Sequence, residues 1–145
     1  MSTIELNTYI TDAEWEVMRV VWANDRVTSK KVISVLQEKM DWTQSTIKTI
    51  LGRLVGKGVL NTEHEGRKFI YTANIEEKEA VRNYVEDIFK RICNKKVGNV
   101  IGSIIEDHVL SFDDIDRLEK ILEMKKSFAV EEVDCNCPEE QCKCH

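Results

Sequence analysis

No apolar run in this chain extends beyond a few residues, so nothing approaches the ~20 positions a helix needs to cross a bilayer. The first residues lack a basic stretch followed by an apolar one, and no secretory leader is expected. Long repeats and low-complexity tracts are absent, as are a nucleophile–base pair and a phosphate-cradling loop, so enzymatic function is not expected. The expected location is the cytoplasm, with no membrane partner. Thiols stay reduced there, which sets aside a disulfide scaffold for the five cysteines, four of which fall within the last eleven residues. They are read first as metal or redox chemistry. At 145 residues the chain holds one ordinary domain, or a small domain of about 70 residues with an appendage that leans on a partner.

A net charge of -5 looks wrong for a nucleic-acid binder until it is divided along the chain. Residues 1–72 carry ten Lys/Arg against nine Asp/Glu, and residues 73–145 carry eleven against seventeen. Within 26–72 the balance is nine against four, a local excess of positive charge suited to phosphates, followed by an acidic second half.

The periodicity is mainly helical. Thr11 and Glu14 form a capping box that starts a first helix. Ala13, Val17, Val20 and Val21 line one side of it, and Trp15, Met18 and Trp22 nearly the opposite side, so it is expected to be buried on both. Asn24-Asp25 ends it, and Thr28 or Ser29 caps a second helix. After the Asp41-Trp42-Thr43 turn, a third helix runs from about Gln44 to Lys57. Ile47, Ile50, Leu51, Leu54 and Val55 form its inner face, and Gly58 its cap. Val59–Glu63 and Phe69–Thr72 read as strands joined through His64–Lys68. Three helices and a two-stranded hairpin make a winged-helix order. Three further amphipathic stripes follow, Val81 to Ile92, Val97 to Ile105, and Phe112 to Leu122, the last capped by Ser111 with Asp114. They offer more apolar surface than so short a segment buries by itself, and a second copy is expected to cover the rest. The expected fold is therefore mainly α with a small β-hairpin. Residues 1–73 form a winged-helix DNA-binding domain, 74–126 a helical dimerisation region, and 127–145 a cysteine-rich metal-binding tail.

That tail carries the sharpest motif, Cys135-x-Cys137-x4-Cys142-x-Cys144. Each Cys-x-Cys hook places two sulfurs on one side of an extended backbone, and the loop containing Pro138 folds the hooks together into a four-sulfur site. Thiolates favour Cu(I) or Zn(II), and iron–sulfur spacings are wider. Two Cu(I) or one Zn(II) are expected per site. His145 is left out as a solvated terminal side chain, and Cys93, beside Ile92 in a stripe, is read as a thiol buried like a small apolar group. His64 and His108 have no companions at ligand spacing. On the third helix Ser45, Thr46, Lys48, Thr49 and Arg53 face away from the apolar stripe as candidate base and phosphate contacts. Gly52 and Gly56 allow close approach, and Arg67 and Lys68 reach phosphates from the wing.

Thr11–Met18 and Thr46–Gly58 resemble the penicillinase-repressor (BlaI/MecI) superfamily over most of the chain, and with the cysteine tail the sequence resembles its CopY-type, copper-responsive members. The resemblance implies a homodimer on a palindromic operator of a copper-transport operon. It is bound in the apo or zinc form and released when Cu(I) occupies the four cysteines. Antibiotic-sensing members lack the tail and respond to proteolysis. Partners are then double-stranded operator DNA, a second copy of the chain and a copper-delivering metallochaperone. The competing readings are a metal-buffering or delivery protein, and a protease-controlled repressor with a structural zinc tail.

Overall fold

The computed structural model describes residues 9–144. They form α1 (Asp12–Asn24), β1 (Arg26–Thr28), α2 (Ser29–Met40), α3 (Gln44–Gly56), β2 (Leu60–Glu65), β3 (Lys68–Ala73), α4 (Glu77–Phe89), α5 (Val97–Asp107) and α6 (Phe112–Lys125), with short 3-10 turns at Asn94–Lys96 and Lys126–Phe128. Among the described residues no helix is long and apolar enough to cross a membrane. The chain divides into two compact units, one through Tyr84 and one from Val85 onward.

In the first unit, side-chain caps set where helices begin. The Thr11 hydroxyl accepts from the Glu14 amide at 3.2 Å, while the Glu14 carboxylate accepts from the Thr11 amide at 2.9 Å. Thr28 caps α2 through the Lys31 amide, and Thr43 caps α3 through the Thr46 amide. At the far end of α3 the amides of Gly58 and Val59 bond back to the Val55 and Leu54 carbonyls. Gly58 has φ +80, a conformation that suits glycine and turns the chain directly into β2.

The core lies where the three helices meet. Val17, Met18, Val21, Val32, Leu36, Ile47, Leu51 and Leu54 are all essentially inaccessible to water, each side chain contributing roughly 1.5–3 kcal/mol of burial. The second apolar side of α1 is covered as well. Trp15 and Trp22 meet edge to face at 5.6 Å, Trp22 Nε1 donates to the Ile75 carbonyl at 2.9 Å, and Trp15 lies 5.6 Å from the Tyr84 ring.

The sheet differs from the expected two-stranded hairpin. It has three antiparallel strands in the order β1-β3-β2, because Arg26–Thr28 pairs with Ile70–Thr72. Three residues are too few to show a strand's alternation, yet Val27 is buried and anchors the pairing. The hairpin is also tighter than expected. Glu65 pairs with Lys68, leaving only Gly66 and Arg67 in the turn, and Gly66 takes φ +66.

The second unit is organised differently. α6 starts at the expected Ser111–Asp114 capping box. The apolar stripes of α5 and α6, however, are open: Ile101, Ile104, Ile105, Ile115, Ile121 and Leu122 are all exposed. Of the described residues from Val85 onward, only Cys93 is buried.

Candidate functional site

Two constellations carry chemistry, one in each unit. In the first, the inner face of α3 is fixed in the core by Ile47, Ile50, Leu51 and Leu54, and helical geometry then turns the opposite face outward. Ser45, Thr46, Lys48, Thr49 and Arg53 are all exposed on that face. The exposed Thr49 donates its hydroxyl to the Ser45 carbonyl at 3.0 Å, which holds its side chain in place. Gly52 and Gly56 are exposed, and a Cβ at either would meet no protein atom within 4 Å. Packing inside the protein therefore does not require these glycines.

The wing presents Arg67 in its turn and Lys68 at the start of β3, both exposed. Two wing carboxylates would oppose phosphate, but Arg26 binds both, Glu65 closely and Glu63 at 3.5 Å. Lys57, at the end of α3, is not part of the outward face. Its Nζ lies 2.5 Å from the Glu14 carboxylate and 2.6 Å from the Tyr9 carbonyl, tying α3 to the start of α1. Burial pushes the Glu14 carboxyl up. The hydrogen bonds from Lys57 and Thr11 and the Lys57 charge outweigh it and hold the group below its ordinary value.

The second constellation gathers thiols from two places in the sequence. The sulfurs of Cys93, Cys135, Cys142 and Cys144 all lie within 4.8 Å of one another. The shortest separations are 3.3 Å between Cys135 and Cys142, 3.5 Å between Cys93 and Cys144, and 3.6 Å between Cys93 and Cys135. Cys137, a predicted ligand, is not one of the four within 4.8 Å, although its thiol interacts with those of Cys93, Cys142 and Cys135. The two hooks share one local geometry: the Cys137 amide donates to the Cys135 sulfur at 3.4 Å, and the Cys144 amide to the Cys142 sulfur at 3.5 Å.

Crowding the sulfurs divides their protonation. The Lys95 amide, then the neighbouring thiols, draw Cys93 down to about 6, and the Cys144 amide likewise lowers Cys142. Burial, then the adjacent sulfurs, pushes Cys137 up to about 12, and the sulfurs of Cys93 and Cys142 push Cys144 up to about 12. A cluster of this kind cannot ionise fully on its own, since neighbouring thiolates repel. A cation among them removes that obstacle, and the all-sulfur donor set matches soft or borderline ions.

Cys93 is the residue that sequence reasoning missed as a member of this cluster. Its burial was foreseen, but its setting was not. α4 ends at Phe89, so Cys93 lies outside the helix, at the entry to the Asn94–Lys96 turn. No spacing rule signals a partner 42 residues away. The histidines are engaged elsewhere: His64 packs on Phe69 with ring centroids 4.2 Å apart, and His108 Nδ1 lies 2.9 Å from the Ile104 carbonyl. His145 lies outside the described residues.

Residues 10–124 match the family described as Penicillinase repressor. An uncharacterized 16.5 kDa protein of Latilactobacillus sakei, encoded in the ptsI 3' region, is 46% identical over 135 residues, covering 93% of this chain and 92% of that protein. The penicillinase repressor of Bacillus licheniformis is 36% identical over 118 residues, covering 81% of this chain and 92% of its own length. Among solved structures, the DNA-binding domain of the repressor BlaI matches with 43% identity and a TM-score of 0.48, covering 55% of this chain and 93% of that one.

Proposed function

This chain belongs to the penicillinase repressor family, and from that premise we propose that it is a copper-responsive repressor acting as a dimer on a palindromic operator of a copper-transport operon in the bacterial cytoplasm. The family makes it a transcriptional repressor with a DNA-binding domain. The gathered thiols support the rest of the reading: the sulfurs of Cys93, Cys135, Cys142 and Cys144 lie within 4.8 Å of one another, an all-sulfur set among the described residues that suits Cu(I) or Zn(II) rather than hard cations. Cys135, Cys137, Cys142 and Cys144 hold the metal, and the bound ion supplies the signal that the operator-binding state reads out.

Residues 1–73 engage DNA in this reading. Ser45, Thr46, Lys48, Thr49 and Arg53 enter the major groove, and Arg67 and Lys68 contact backbone phosphates. The exposed helix face, the two glycines that packing does not require and the Arg26 clamp on the wing carboxylates support it. Residues 74–126 join two copies. Support comes from α5 and α6, whose stripes are open in a unit where Cys93 is the one buried residue among those described.

A gel-shift on the DNA upstream of its own coding sequence, with zinc and then Cu(I) added, tests the reading. Binding that persists with zinc and is lost with Cu(I) is the expected result. Metal-insensitive operator binding would favour a protease-controlled repressor, and failure to bind any operator would favour a metal carrier.

A further inference from the structure

Cys93 has three features that the tail motif does not explain. It is the one buried residue among those described from Val85 onward, at 5% exposure, in a unit where even isoleucines and leucines are open to water. Its sulfur lies within 4.8 Å of those of Cys135, Cys142 and Cys144. It also meets one sulfur from each hook, that of Cys135 at 3.6 Å and that of Cys144 at 3.5 Å.

Two further contacts hold the tail to this place. The Asn94 amide donates to Asn136 Oδ1 at 3.0 Å, and Lys95 Nζ pairs with Glu132 at 2.9 Å. The approach of the tail is thus specified by residues on either side of Cys135.

We propose that Cys93 is a metal ligand, so that the thiolate centre is built from the α4–α5 junction together with the tail rather than from the tail alone. The inference rests on the metal-sensing reading above and deepens it by naming how the signal enters the helices. A metal held by Cys93 and Cys135 closes a 42-residue loop that contains α5 and α6, whose open stripes form the proposed contact between copies. The metal state then acts, through a direct bond to Cys93, on the Asn94–Lys96 turn that leads into α5.

Zinc and the full chain serve as probe and protein. Alkylation with iodoacetamide, followed by mass spectrometry of the peptides, should show zinc protecting Cys93 together with the tail thiols. Protection of Cys93 should be lost in a variant whose four tail cysteines are serine. In a chelator competition, Cys93→Ser should bind zinc at least about tenfold more weakly, while its metal-free operator binding stays at the level of the unaltered chain. If the tail thiols are protected while Cys93 alkylates at one rate with and without zinc, or if Cys93→Ser binds zinc as tightly, Cys93 is not a ligand and the tail remains the sensor. If zinc protects no cysteine, this inference fails together with the metal-sensing reading.

Discussion

A single buried carboxylate helps decide how α3 is held. Glu14 is 1% exposed and serves two partners at once, closing the α1 capping box through Thr11 and receiving Lys57 from the end of α3. Because the fold holds its acidity below the ordinary value of 4.5, the ionised form stabilises the native state. That contribution is complete above 4.5 and is lost as pH falls through the lower folded value. Lys57→Met leaves the carboxylate buried without its cation and should cost about 1–3 kcal/mol at neutral pH. The lower part of that range is expected, since the Lys57 side chain is 31% exposed and water reaches the pair. Urea denaturation of both proteins at several pH values checks it. The difference should shrink below pH 4 as Glu14 protonates, and a gap of constant size across pH would show that the ion pair does not act this way.

At the scale of elements, the proposed DNA interface would divide contact between α3 as the reading helix and a wing that meets phosphates. Arg67→Ala and Lys68→Ala should weaken binding to all DNA and flatten its salt dependence by about one unit per lost phosphate contact. Thr49→Ala should instead relax base preference. Filter binding across salt concentrations, with a set of operator variants, separates the two, and unchanged slopes with an unchanged preferred site would remove both elements from the interface. Much of this part was legible in the sequence because its signals are local: the Thr11 and Ser111 capping boxes, the Gly58 cap and the 3.6-residue stripes each lie within one or two turns. What escaped was non-local. β1 has only three residues and becomes a strand by pairing with a partner more than forty positions on. Ile92 continues the spacing of the α4 stripe although the helix stops at Phe89, which hid the loop position of Cys93. The four tail cysteines announced themselves by spacing, whereas Cys93 joins them only through tertiary structure.

At the scale of the whole molecule, the proposed copper response would have to pass from the thiol cluster to the pairing of two copies. Ile104→Asp places a charge in an open α5 stripe, and sedimentation should show a weakened dimer along with weaker operator binding, although no DNA contact is altered. A monomer on DNA at working concentration in the unaltered protein would overturn the dimer. In a dimer each reading helix meets one half-site, about 10–10.5 base pairs from the other, so small changes in helix spacing matter. Charge does not provide the switch. One divalent zinc and two monovalent copper ions neutralise the four thiolates equally, so exchange at full occupancy leaves the charge of the tail unchanged. Geometry would differ: zinc would favour a single tetrahedral arrangement of thiolates, and Cu(I), with fewer ligands per ion, a more compact one. A difference of a few kcal/mol between the arrangements is enough to move the dimer out of its DNA-competent spacing. Replacing Cys135, Cys137, Cys142 and Cys144 by serine should therefore abolish copper-induced release, while the winged helix, whose core includes none of them, still folds and binds operator. Circular dichroism and a gel-shift with and without Cu(I) read both halves of that expectation. Should the quadruple variant bind operator and still let go when Cu(I) is added, the signal enters elsewhere and the tail is not the sensor.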